Sequence, residues 1–177
     1  MANLTLDADL DGIEDGDDGC PLVFGNSTID RTGCPDTDGD GHSDPDPTGA
    51  NGPIWTVAAN GADAFILEPT QWADQDDDGF GDNAVGFQAD ACPVSPGTST
   101  LDRFGCGDSD SDGYSDPDGG WFIANGADSC PSVSGSSNAD RSGCPDDDSD
   151  GYSDPDPSGN NGPVWTGPLF PEGSGSE

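Results

Sequence analysis

A nine-residue frame, D-x-D-x-D-G-x-x-D, occurs five times in the chain. The copies are DADLDGIED from Asp7, DTDGDGHSD from Asp36, DQDDDGFGD from Asp74, DSDSDGYSD from Asp108 and DDDSDGYSD from Asp146. Positions 1, 3, 5 and 9 are Asp and position 6 is Gly in every copy, and four copies add Asp at position 11 (Asp17, Asp46, Asp118, Asp156). Two carboxylates about 5 Å apart repel by roughly 0.8 kcal/mol even in water, and by more where solvent is thinned. A folded chain keeps such clusters together only around something positive. Carboxylates at alternate positions can wrap one ion, and Gly at position 6 permits the sharp turn that a side chain would obstruct. Position 7 then offers its backbone carbonyl, which leaves the side chains of Ile13, His42, Phe80, Tyr114 and Tyr152 free to pack against a neighbouring repeat.

A second element alternates with the acidic loops. It reads CPLVFGNSTIDRTGC (20–34), CPVSPGTSTLDRFGC (92–106) and CPSVSGSSNADRSGC (130–144), with the common frame C-P-x-x-x-G-x-S-x-x-D-R-x-G-C. All three arginines, Arg31, Arg103 and Arg141, occupy one position of it. A Cys-less counterpart, FILEPTQW, fills 65–72. The organisation is one linear array of repeats over 1–177 with a flexible tail at 168–177, not a globule around a central core.

Composition would otherwise suggest disorder. Leu, Ile, Val and Phe supply 25 of 177 residues, below what an apolar core needs, while Gly (28) and Pro (16) are abundant. The formal charge is −34, from 37 acids against 3 Arg and no Lys. That excludes nucleic acid and anionic membranes as partners, since both demand Lys and Arg. No stretch is apolar and long enough for membrane insertion or a signal segment. Met1-Ala2 reads as a start placed before a mature segment, and GSGSE as a linker. Six Cys in such a chain suit an oxidising compartment, so the expected location is extracellular or the cell surface. NLT at Asn3 and NST at Asn26 fit the N-glycosylation sequon.

No segment sustains a 3.6-residue period, and Pro, Gly, Asp, Ser and Asn interrupt every candidate helix. The expected fold is irregular: an elongated array of ion-wrapped loops with disulfides and a few short strand pairs.

Each loop still needs a ligand to close its coordination sphere. The first has Asp18 at position 12. The next three have an Asp two residues before the next Cys or its substitute: Asp63 in NGADAF, Asp90 in QADAC and Asp128 in NGADSC. Insertions carrying Trp55, Phe87 and Trp121 separate loop from closing residue. The fifth loop has no such residue downstream, so either the array continues or another chain completes it. The loops with Asp63, Asp90 and Asp128 hold 31 of the 37 acids, which leaves little acidity for general solvation. Oxygen-only ligation argues against zinc and copper. Clustered charge on flexible loops favours calcium over magnesium.

D-x-D-x-D-G-x-x-D-x-x-D alternating with Cys-Pro segments resembles the thrombospondin type 3 repeat, over roughly residues 7–165. The resemblance implies repeats wrapped on calcium, about five to fifteen ions per chain, in place of a hydrophobic core. It implies as ligands Asp7, Asp9, Asp11, the Ile13 carbonyl, Asp15, Asp17 and Asp18 in the first loop. In the second they are Asp36, Asp38, Asp40, His42, Asp44, Asp46 and Asp63, and in the third Asp74, Asp76, Asp78, Phe80, Asp82 and Asp90. In the fourth they are Asp108, Asp110, Asp112, Tyr114, Asp116, Asp118 and Asp128, and in the fifth Asp146, Asp148, Asp150, Tyr152, Asp154 and Asp156. EF-hand and dockerin loops share the D-x-D-x-D-G start but need flanking helices that this chain lacks.

Six Cys allow 15 pairings. In the Cys-less linker, Phe65 and Trp72 stand where both cysteines would be, as if two aromatics replaced one bridge by touching. That favours Cys20–Cys34, Cys92–Cys106 and Cys130–Cys144, each closing about 15 residues and stabilising by roughly 3 kcal/mol on the chain-entropy model. No CxxC spacing suggests zinc or redox chemistry. The arginines are expected to hold backbone carbonyls, with the adjacent Asp as a partner. No catalytic set stands apart from the loops, so no enzymatic activity is expected. Three roles fit a calcium-stiffened array. It could be an extracellular spacer, stalk or matrix element. It could be a subunit of a calcium-bridged filament, associating end to end through the fifth loop and the N-terminal NLTLD. Or it could be an adhesion or ligand-binding module anchored by Trp55, Trp121 and Trp165.

Overall fold

In the computed structural model, residues 6–156, 159, 164 and 166 are described. Trp165, the sequon at Asn3, the tail at 168–177 and most of the NLTLD segment lie outside them. The chain divides into two units. Met1–Pro93 carries the loops from Asp7, Asp36 and Asp74, and Val94–Glu177 carries those from Asp108 and Asp146.

Within both units the backbone is irregular. The regular elements among the described residues are a four-residue helix α1 (Val57–Asn60) and a 3-10 turn, Ile123–Asn125. An isolated antiparallel bridge joins Asp46 to Trp55. Among the described residues the strand pairs expected from the sequence do not form, because a ladder needs successive free backbone groups and carboxylates have taken many of these N–H donors. No helix of the described residues is long and apolar enough to cross a membrane.

The five loops share one conformation. The position-1 carboxylate accepts the N–H of the position-6 glycine in all five, at 2.9–3.2 Å. In four it also accepts the N–H of position 4, at 2.7 Å. Position 9 closes the ring: the N–H groups of Asp15, Asp44, Asp82, Asp116 and Asp154 donate to the carbonyl just before position 1. The turn forces positive φ at position 4 (Leu10, Gly39, Asp77, Ser111, Ser149) and at the glycine two residues on.

Cysteines, two alanines and many polar side chains make up what is buried. Ser27, Ser99 and Ser137 of the Cys-Pro frame are fully buried, and their hydroxyls donate to the carbonyls of Arg31, Arg103 and Arg141. The Asp of each D-R pair fastens linker to loop: Asp30, Asp102 and Asp140 accept both N–H and hydroxyl of Ser43, Ser115 and Ser153 at loop position 8. All six cysteines are in disulfides. Cys20–Cys34 and Cys130–Cys144 have Cα separations of 5.0 and 5.1 Å.

The Cys-less linker is organised by a residue the sequence did not single out. Gln71 is 1% exposed; its amide nitrogen donates to the carbonyls of Asn83 and Phe87, and its oxygen accepts the Asn83 N–H. Trp72 stacks on His42, with ring centroids 5.0 Å apart and planes within 6°, instead of pairing with Phe65.

Candidate metal centres

Five aspartate triplets stand at loop positions 1, 3 and 5: Asp7/Asp9/Asp11, Asp36/Asp38/Asp40, Asp74/Asp76/Asp78, Asp108/Asp110/Asp112 and Asp146/Asp148/Asp150. In each, one carboxylate oxygen per residue lies within 4.8 Å of the other two. The position-5 carboxylate uses one oxygen to accept the N–H of position 7, at 2.7–2.9 Å in all five loops. This bond aims the backbone at positions 5–7 around the cluster. Among the described residues, the position-7 carbonyls of Ile13, His42 and Tyr114 accept no backbone hydrogen bond.

A fourth carboxylate joins each of the first four loops by a repeated device. The N–H of Asp18, Asp63, Asp90 and Asp128 donates to the carbonyl at position 8 of its own loop, namely Glu14, Ser43, Gly81 and Ser115, at 2.8–3.0 Å. The carboxylate Oδ1 then accepts the N–H two residues on, from Cys20, Phe65, Cys92 and Cys130, at 2.7 Å each time. That capping bond explains the fixed spacing between closing aspartate and cysteine. In two repeats the approach runs through N-G-A-D: Gly61 and Gly126 adopt φ 75° and 112°, and turn Ala62–Asp63 and Ala127–Asp128 inward. Those four residues are at most 1% exposed.

The other oxygen of each closing carboxylate is the notable atom. Oδ2 of Asp63, Asp90 and Asp128 is buried with no hydrogen-bond partner. Loop oxygens Asp9 Oδ2, Asp38 Oδ2, Asp40 Oδ2, Asp82 Oδ1 and both of Asp110 are in the same condition. An orphaned buried carboxylate oxygen is costly, and groups of them facing one another are costlier still. Burial, with the like charges of loop positions 3, 5 and 9, pushes Asp63 up to about 7, Asp90 to about 6 and Asp128 to about 7. Burial likewise raises Asp9, Asp38, Asp82, Asp110 and Asp112. The donor sets are all oxygen, and those of the first four loops include buried oxygens uncompensated within the chain, which fits hard divalent cations. The triplets could hold metal ions.

Two position-11 residues have other employment. Asp46 accepts the N–H groups of Ala50 and Asn51 and the Thr48 hydroxyl, bonds that hold its carboxyl below the usual range. Asp118 pairs with the Arg103 guanidinium at 2.7 Å and caps Gly120 and Trp121, which brings it to about 2. In both cases the donors come from the insertion that follows the loop or from the linker arginine. Asp17 is exposed at the surface.

Arg31 holds backbone carbonyls in the manner expected, whereas Arg103 pairs with Asp118 and Arg141 donates to Cys130 Sγ. Arg31 reaches the carbonyls of Gly19 and Asn51, while Asp30 accepts the backbone N–H of Arg31 and the groups of Ser43. The guanidinium groups of Arg31 and Arg103 lie over Trp55 and Trp121, at 5.2 and 5.5 Å. The Trp121 indole donates to Asp102. These tryptophans pack their own insertions onto the Cys-Pro linkers.

Compared with known proteins, the chain matches no family model, and no curated protein is similar enough to count as a relative.

Proposed function

We propose that this chain is an extracellular calcium-binding structural protein, folded and stiffened by the ions its loops take up, serving as a spacer, stalk or matrix element. The observation that carries the reading is the closing carboxylate. Asp63, Asp90 and Asp128 are each docked to their loop by a backbone bond and capped on one oxygen, and each keeps the other oxygen buried beside the triplet. With its carboxylates ionised, such an arrangement is stable only with positive charge at its centre. Calcium suits it better than magnesium because the donors are numerous and mounted on irregular backbone. Ten to fifteen divalent ions would offset most of the −34 charge. Binding free energy would then be folding free energy. Oxidised cysteines support a secreted location.

Circular dichroism and small-angle scattering on ion-stripped protein, with and without added calcium, test the reading. Ordering and compaction on calcium addition are expected, with magnesium effective only at higher concentration. Indistinguishable profiles in calcium and in chelator would refute it.

A further inference from the structure

The aspartate at loop position 9 shares the surroundings of the closing carboxylate. Asp44 is among the charges that raise Asp63, Asp82 among those that raise Asp90, and Asp116 among those that raise Asp128. What its oxygens are free to do differs from loop to loop, and the residue at position 2 decides it. Thr37 donates its N–H to Asp44 Oδ1 at 3.1 Å and its hydroxyl to Asp44 Oδ2 at 2.6 Å. Ser109 does the same to Asp116, at 3.3 and 2.5 Å. Both oxygens of these two carboxylates are engaged.

The loops from Asp7 and Asp74 have Ala8 and Gln75 at this position and so offer no hydroxyl. Asp15 receives the Ala8 N–H on Oδ1 at 2.8 Å. Asp82 keeps Oδ1 buried with no hydrogen-bond partner. A hydroxyl proton resting on a carboxylate oxygen occupies a lone pair and draws off charge that a cation would otherwise use.

We infer that the residue at loop position 2 grades the cation sites. The hydroxyl-capped loops from Asp36 and Asp108 are the weaker class, and the uncapped loops from Asp7 and Asp74 the tighter one. This rests on the loops being cation sites, as proposed above. Its consequence is a stepwise response: as calcium falls, the loops from Asp36 and Asp108 empty first, while their neighbours remain loaded.

Isothermal titration of the full ion-stripped chain with calcium tests the inference, alongside Thr37→Ala, Ser109→Ala and Gln75→Ser. The wild type should show at least two affinity classes. Each alanine variant should move one site from the weaker class to the tighter, by roughly tenfold, the worth of a hydrogen bond to a charged group. Gln75→Ser should move one site the other way by a similar factor. Dichroism in saturating calcium verifies that each variant is folded. A wild type with a single class, or alanine variants that bind equally or more weakly, would overturn the grading while leaving calcium binding intact. A wild type that takes up no calcium would overturn both.

Discussion

The backbone N–H of Asp63 donates to the carbonyl of Ser43 at 3.0 Å, twenty residues upstream. The same contact joins Asp18 to Glu14 across only four. One anchor point therefore delivers a carboxylate to its loop whatever the chain does in between. At pH 7.5, Asp63→Asn should keep the cap on the Phe65 N–H while removing the charge. Calcium affinity at one site should fall by at least about tenfold, since a unit charge within a few ångströms of a cation is lost. The ion-stripped protein should become more stable, because a buried carboxylate no longer has to ionise. Titration and thermal melts with and without calcium report the two opposite signs.

The raised carboxyls of Asp63, Asp90 and Asp128 make ion-free stability depend on pH. Their folded values, about 7, 6 and 7, lie above the ordinary 3.8. A raised group binds its proton more tightly in the folded state. Its contribution is intact below 3.8, falls as pH rises and is lost once pH passes the folded value. Ion-stripped protein should therefore melt at a higher temperature at pH 5 than at pH 7.5. With calcium the order should reverse, because the ion requires the ionised form. Melts of resin-stripped protein across pH 4.5–8, with and without calcium, check both directions.

Leu10 adopts φ 65° at loop position 4 and is 78% exposed, so it bears left-handed strain with little packing in return. Gly39 holds the equivalent place in the second loop. Leu10→Gly should stabilise the calcium-loaded protein by about 0.5 kcal/mol, relief of the strain less the entropy glycine adds to the unfolded chain. Leu10→Val should destabilise it. Denaturant midpoints in saturating calcium measure both.

Ser27 is fully buried; its hydroxyl donates to the Arg31 carbonyl and accepts the Cys34 N–H at 3.2 Å. Ser27→Ala should cost about 1 kcal/mol, because the Cys34 N–H retains a second acceptor in the Arg31 carbonyl. Ser136→Ala, at an exposed position of a related linker, should change stability by less than about 0.5 kcal/mol. Denaturant titration of both variants provides the comparison.

The irregular fold, the triplets and the closing aspartates are legible in the sequence because the repeat exposes them. Five copies hold Asp and Gly in register, and each closing residue keeps the spacing to the cysteine, or to Phe65 in its place, that its capping bond requires. Asp46 and Asp118 carry bonds that the repeat does not announce. Their register matches a ligand position, but the donors that capture them arrive from insertions with no common frame. Gln71 escapes notice because the linker around it occurs once, so no second copy marks it. Trp72 in place of cysteine suggests a contact with Phe65. The partner it takes is His42, a residue from the loop before, which pairing arguments within one linker cannot reach.

Because each closing aspartate finds the position-8 carbonyl across gaps as different as those from Glu14 to Asp18 and from Ser43 to Asp63, the intervening stretch is a socket. A foreign peptide inserted between Ala58 and Ala59, which are exposed and lie past the Asp46–Trp55 bridge and the Arg31 contacts, would be displayed from a platform whose own contacts are left in place. The disulfide ring behind the graft and the carboxylates before it would register the insertion only as a longer tether.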